Sequence, residues 1–355
     1  MGTSVVLRFE ATFGVDVQIS AANLPLRFEA GHVIDVRRMS EVDARGVIPT
    51  HCPLLMIVSG SHEVSGKKRA AAFEALAEHR LPEGCDRQLI EEANAFGSAL
   101  LPGTVNTTVP VGSKLLPQAQ NEVFLSIGEE ARELGERTAR LLRWVGQGSA
   151  SHRFVFGPEM RWAIRDGDWQ RWPGYSSVRI GWSRMSDLSE ANRSLVTQYL
   201  NTDIDEPIYH RLWREAEALR TSSRRAALMI AVAAAEIGLK KVIAELIPSA
   251  KWLVDETPSP PLVKMLKAYF PTLPVREQLS GSVWQLEPDD METLETAVNL
   301  RNKSVHTDHL VDDDRLEKSL NVVKRLLQRY DVALGYRFAL PPATPRSGSD
   351  PAGLP

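Results

Sequence analysis

Cysteine is nearly absent: Cys52 and Cys85 are the only two in a chain of 355 residues. That excludes a disulfide scaffold and fits a reducing cytoplasm. A long apolar run is missing too. The longest, Ala226 to Ala235, falls far short of the roughly 20 residues that cross a bilayer. Charge of one sign is not in excess. Lys and Arg number 42 against 45 Asp and Glu, a formal net charge of -3, so no whole-molecule attraction to nucleic acid exists and any such contact needs a local patch. The first residues show no basic stretch leading into an apolar one, so no signal peptide is expected. Met1-Gly2 lacks the Ser or Thr that myristoylation wants at position 6, where Val6 stands. No internal repeat is visible. What remains is an ordinary globular composition, 43% hydrophobic and 25% charged, long enough for two domains.

The first sixty residues read as strands. Val5 to Phe9 and Phe13 to Val17 alternate or run β-branched, Leu26 to Glu29 and Val33 to Val36 flank a turn at Gly31, and Pro53 to Val58 is a short buried run. The period then changes. Lys67 to His79, Asp86 to Leu100 and Glu122 to Val145 read as helices, with Gly128 and Gly135 weakening the middle of the last. From Arg153 to Arg184 aromatic residues and arginines interleave, Trp162, Trp169, Trp172 and Trp182 among them, and Asp166-Gly167-Asp168 signals a hairpin turn. Residues 1–185 are therefore expected to form a β-rich α+β domain with a sensing or regulatory role. Residues 186–206 are expected to be a linker with a short helix over Ser189 to Tyr199.

Beyond Pro207 the chain turns helical. Ile208, Leu212, Ala216 and Leu219 step about one turn apart, and Thr221-Ser222-Ser223 breaks that helix and offers a cap for the next. Arg224 to Ile247 is apolar on most of its surface, which places it in the middle of a bundle. Pro248 ends it, and a short helix follows between Pro260-Pro261 and Phe270. Leu316, Leu320, Val323, Leu327, Tyr330 and Leu334 form a clean stripe on the last helix, with Asp312-Asp313-Asp314 at its positive end. Residues 207–338 are expected to be an all-α bundle, and 339–355, rich in Pro, Gly and Ser, a disordered tail.

One stretch stands out. In the helix before the last, Asp289 reads as the N-cap with Glu292 completing a capping box. Met291, Leu294 and Val298 then set a stripe whose next members are Arg301 and Val305. An arginine there is costly unless it is paired or used. His306 follows about 7.5 Å along the axis and roughly 140° round it, within reach of a long Arg side chain.

Arg301-Asn302-Lys303-Ser304-Val305-His306 is similar to the R-x4-6-H signature of HEPN domains, helical bundles found in prokaryotic ribonuclease toxins and defence proteins. The helix order from 207 to 338 and the Ala-rich helix Ala226 to Lys240 carry the same resemblance. It covers little more than a third of the chain. It implies metal-independent RNA cleavage by 2′-OH attack, leaving a 2′,3′-cyclic phosphate, at a composite cleft between two copies of the bundle. His306 would move protons and Arg301 would hold the phosphorane's equatorial oxygens. Asn302 and Glu236, the one acid of the Ala-rich helix, would support them, and Lys303, Arg224 and Arg225 would contact RNA. No cofactor or metal is implied. RNA, a second copy of the chain and an antitoxin or regulatory partner are the expected partners, with no membrane, in a cytoplasmic setting. Some relatives carry a tyrosine two residues after the histidine; Asp308 stands there, so chemistry depending on that tyrosine is not expected.

Each feature has a structural alternative. Arg301 and His306 can be a structural pair, with Arg301 bridging to Glu236, in a catalytically silent module used for dimerisation or adaptor contacts. The aromatic and arginine stretch can be a platform for single-stranded RNA, without cleavage, or a sheet whose Arg stems lie over rings. His306, His309, Asp308 and Asp312 lack the spacing of a metal site. Gly60 to Lys68 fails as a phosphate loop, one residue too long and with Lys68 where Ser or Thr belongs. His51-Cys52 has no partner arrangement.

Overall fold

The computed structural model describes residues 4–15, 25–38, 54–78, 116–146, 154–171, 189–202, 204–256, 259–274, 286–306, 311–336 and 338. The chain divides into two compact units, Met1–Glu206 and Pro207–Pro355. The helix expected over Asp86 to Leu100 and the tail 339–355 lie outside the described residues.

The first unit is built on one sheet. Its strands are β1 (Ser4–Val15), β2 (Leu26–Ala30), β3 (His32–Arg38), β4 (Leu54–Ser65), β5 (Phe154–Ile164) and β6 (Gln170–Arg171), in the order β2-β3-β4-β1-β5-β6. All neighbours run antiparallel. The two strands read at Val5–Phe9 and Phe13–Val17 are one continuous strand, because Glu10 to Thr12 hold the alternation with Ala11 on the inner face. Val5, Leu7, Phe9, Ala11 and Phe13 are buried, whereas Arg8, Glu10 and Thr12 between them are not.

The inner face is covered by α1 (Lys67–Ala77) and α2 (Gln118–Val145). Phe73 of α1, Phe124 of α2 and Trp162 of β5 meet edge to face, with centroids 5.3 to 6.0 Å apart. The glycines that weaken α2 on paper do not break it. A Cβ at Gly135 would stand 3.0 Å from the buried Phe13 ring, so the missing side chain is what lets helix and sheet approach.

Of the segment expected as a linker, residues 189–202 and 204–206 instead pack inside this unit, and 186–188 lie outside the described residues. Helix α3 (Glu190–Leu200), N-capped by Ser189 on Asn192 N–H at 3.2 Å, lies against α2 and β2. Arg137 of α2 donates to the carbonyls of Tyr199, Leu200, Thr202 and Ile204, and Arg140 takes Asp205 at 2.7 Å. Arg137 thus fills carbonyl vacancies at the α3 C-terminus, and Arg140 ties down the Asp205 side chain just beyond it.

The second unit is helical: α4 (Ile208–Leu219), α5 (Arg224–Leu246), α6 (Lys251–Glu256), α7 (Leu262–Ala268), α8 (Pro288–His306) and α9 (Asp313–Ala333). The two halves of the molecule are thus a mixed antiparallel sheet unit and a helical unit. Helix α5 packs against α4, α8 and α9 at the centre, as its apolar surface required. The α9 stripe from Leu316 to Leu334 is buried throughout.

Two capping expectations are corrected. Helix α8 starts at Pro288, whose fixed φ suits the first helical position, so Asp289 lies in the first turn and is not the N-cap. Ser223 precedes α5 but makes no side-chain cap bond. The turn of helix α6 beyond Pro248 carries no start signal in the sequence. Among the described residues, no helix is long and apolar enough to cross a membrane.

Candidate functional site

The buried row of α8 is Leu294, Ala297, Leu300 and Ser304. That differs by about one residue from the stripe expected through Met291, Val298 and Arg301. Alanine and serine carry little hydropathy, so the true core row was muted, and Met291 and Val298 are its half-buried margin. Arg301 therefore stands beside the core and not in it, with its side chain 23% exposed.

From that position the guanidinium reaches α5. Its Nη2 lies 3.2 and 3.1 Å from the two carboxylate oxygens of Glu236, whose side chain is 11% exposed. Nη1 donates to Asn302 Oδ1 at 3.0 Å. Ser259 Oγ donates to Glu236 Oε1 at 3.2 Å. One carboxylate thus gathers a cation from α8 and a hydroxyl from the segment ahead of α7. A carboxylate this deep needs both. The guanidinium carries five N–H donors. The contacts above engage Nη2 and one hydrogen of Nη1, and among the described residues Nε takes no partner.

His306 is the last residue of α8. It lies on the same helix five positions beyond Arg301, and its side chain is outside the described residues. Asn302 and Lys303 are exposed on the same turn. Arg224 and Arg225 are elsewhere: they open α5, about 18 Å along its axis from Glu236 by helical rise. Arg224 is paired with Asp313 at the start of α9, Nη2 to Oδ2 at 2.8 Å. Of the expected site residues, the fold brings Arg301, Asn302 and Glu236 together, keeps Lys303 and His306 on the same helix end, and sets Arg224 and Arg225 apart.

The competing sites fare differently. Asp312 caps α9, accepting from Arg315 N–H at 2.8 Å, while Asp308 and His309 lie outside the described residues. No group of three His, Cys, Asp or Glu among the described residues is placed to hold a metal ion. Gly60 is inside β4, facing the His32 ring, and only Gly66 separates the strand from α1, leaving no phosphate-cradling loop. In the aromatic stretch, Trp162 is core. Trp169 is 39% exposed, with the Arg8 guanidinium 5.1 Å from its ring centroid. Trp172, Tyr175 and Trp182 lie outside the described residues.

The helical unit holds a second polar cluster that the sequence reading passed over. Asp331, 1% exposed, accepts from Tyr209 Oη at 2.7 Å, and its other oxygen lies 2.8 Å from His210 Nε2. Burial, then the Asp331 charge, pushes the Tyr209 hydroxyl well above its usual range. Nearby on α4, burial raises the Glu217 carboxyl. On α9, burial and then Arg214 lower the Lys324 ammonium, which sits 5.4 Å over the Trp213 ring. Ser259 was missed as well. Its signal was faint: a serine set among prolines, ahead of a short helix.

No protein-family model, curated protein or solved structure matches this chain.

Proposed function

We propose that the helical unit is a metal-independent RNA endonuclease of the HEPN type, acting in a toxin or antiviral defence role. The observation that carries this reading is the Arg301 guanidinium, held on one side by Glu236, its Nε meeting no partner among the described residues, on the helix that ends at His306. A fixed cation with a spare donor suits the equatorial oxygens of a phosphorane. A histidine moves protons near neutral pH. In this reading His306 takes the proton of the ribose 2′-OH as it attacks phosphorus. The departing 5′ oxygen collects a proton, leaving a 2′,3′-cyclic phosphate and a 5′-hydroxyl. Glu236 and Asn302 position Arg301, and Lys303 contacts the backbone. Arg224 and Arg225, about 18 Å away along α5, serve a flanking part of the strand.

Two copies of the unit pair so that both Arg301/His306 sets line one cleft. The sheet unit senses a trigger, or an antitoxin or regulatory partner restrains the nuclease.

A second reading is favoured by the same ion pair. Glu236 and Arg301 together brace α5 against α8, as a structural pair in a silent dimerisation or adaptor module does. A third, RNA binding without cleavage, draws on the exposed Trp169.

RNA incubated with the protein in EDTA separates the three. Cleavage that survives EDTA, yields cyclic phosphate ends and disappears in Arg301→Ala and in His306→Ala supports the nuclease. No cleavage with retained dimerisation supports the silent module. A gel shift that persists in both variants and is lost in Trp169→Ala supports binding alone.

A further inference from the structure

We infer that Ser259 is a positioning residue, acting on Arg301 through Glu236. The inference rests on the nuclease reading for its catalytic consequence. The arrangement itself does not depend on it.

Three features support it. Ser259 Oγ donates to Glu236 Oε1 at 3.2 Å, the same oxygen that lies 3.2 Å from Arg301 Nη2. Glu236 is otherwise buried, so the hydroxyl and the guanidinium together set the rotation of its carboxylate. Because Nη2 lies against both carboxylate oxygens, any turn of that group shifts the guanidinium and the Nε–H that stays free of it. The segment bearing Ser259 is also stiff. Pro260 is buried, its carbonyl accepts from Leu262 N–H at 2.7 Å across a tight turn centred on Pro261, and the Pro261 carbonyl accepts from Met265 N–H at 3.0 Å at the start of α7. A residue before proline has restricted backbone freedom. Ser259 is exposed at the end of this segment.

The test compares Ser259→Ala and Ser259→Thr with the parent full-length protein by two readouts. The first is the kinetics of RNA cleavage in EDTA. Ser259→Ala is expected to lower kcat about three- to tenfold, the worth of one positioning hydrogen bond, with KM unchanged and a fold that survives with a modestly lower unfolding midpoint. Ser259→Thr, which keeps the hydroxyl, is expected to restore kcat to within about twofold of the parent. The second readout is the side-chain ¹⁵N NMR signal of Arg301 Nε–H, assigned by its loss in Arg301→Lys. It is expected to broaden or exchange faster in Ser259→Ala and to recover in Ser259→Thr. An unchanged Arg301 signal in Ser259→Ala overturns the positioning role. So does equal damage in both variants. If the parent protein cleaves no RNA, the nuclease reading fails, and the NMR comparison still decides the role of Ser259.

Discussion

Arg137 and Arg301 show how differently the two units use the same side chain. Arg137, on α2 of the sheet unit, is surrounded by four backbone carbonyls at the end of α3 and functions as a cap. Arg301, on α8 of the helical unit, meets one carboxylate and one amide among the described residues. The carbonyls take Nη1 and Nη2 of Arg137 and, as in Arg301, Nε meets no partner among the described residues; the two differ in their acceptors, uncharged backbone for Arg137 and a buried carboxylate for Arg301. A carboxylate at one corner fixes its place and leaves part of its fork exposed. The arginine of the sheet unit completes secondary structure, whereas that of the helical unit is mounted.

The comparison extends to buried polarity. In the sheet unit the inner face is almost wholly apolar, from Val5 to Phe13. Among the described residues the helical unit buries Arg214, Glu236 and Asp331, while the sheet unit buries Arg143 and Glu206 outside its strands. Asp331→Ala is expected to be the most damaging change. It removes the acceptor of the buried Tyr209 hydroxyl and one partner of His210, and should cost about 3–5 kcal/mol. Denaturant unfolding followed separately in each unit should show the helical transition moving and the sheet transition staying. Equal movement of both would break the division drawn here.

Close helix approach gives the next contrast. A Cβ at Gly238 would lie 2.6 Å from the ring of the fully buried Tyr330, and Gly238→Ala should destabilise the helical unit by roughly 1–3 kcal/mol. Gly135→Ala, 3.0 Å from Phe13, should do the same to the sheet unit, less severely. Gly128→Ala is the control. Its nearest neighbour is the flexible Met160 at 3.5 Å, and it should stabilise by up to about 1 kcal/mol through helix propensity. Thermal unfolding of the three variants would show this order or refute it.

Ser304 sharpens the account of α8. Its hydroxyl is buried with no hydrogen-bond partner among the described residues. Ser304→Ala should stabilise by about 1 kcal/mol and leave RNA cleavage intact. A loss of cleavage in this variant would mean that the hydroxyl has a use in the site.

The smallest effect expected is on pH. Burial raises the Glu217 carboxyl above its ordinary 4.5, with Arg220 and Lys324 only partly opposing. A raised folded value means the stability this group permits is full below about 4.5 and declines as pH rises through the folded value. Glu217→Gln cannot ionise. Its unfolding midpoint should exceed that of the parent at pH 7 and converge with it near pH 4. A constant difference across that range would assign the effect to packing.

Much of this was legible in the residues. The alternation of β1 and the α9 stripe are strong periodic signals, and the structure follows them. Glu236 is conspicuous as the one acid in the alanine-rich stretch Ala226 to Lys240, and it meets Arg301. The α8 register was harder to read. Ala297 and Ser304, though buried, carry little hydropathy, so the eye follows Met291 and Val298 and sets Arg301 in the core. Long-range polar partners leave no local trace. Nothing near Asp331 announces that Tyr209 and His210 are its companions, and nothing near Arg137 announces the carbonyls of α3. Ser259 is legible only once Glu236 is placed.

The central claim is that Arg301 is a working cation and not a brace. The most direct measurement is the rate of RNA cleavage in EDTA by Arg301→Ala relative to the parent, with the unfolding midpoint taken on the same samples. The account predicts a fall of about 10²-fold or more, as when a charge-stabilising donor is removed, with a fold that survives. Undiminished cleavage by the variant, or a parent protein that never cuts RNA, would contradict it.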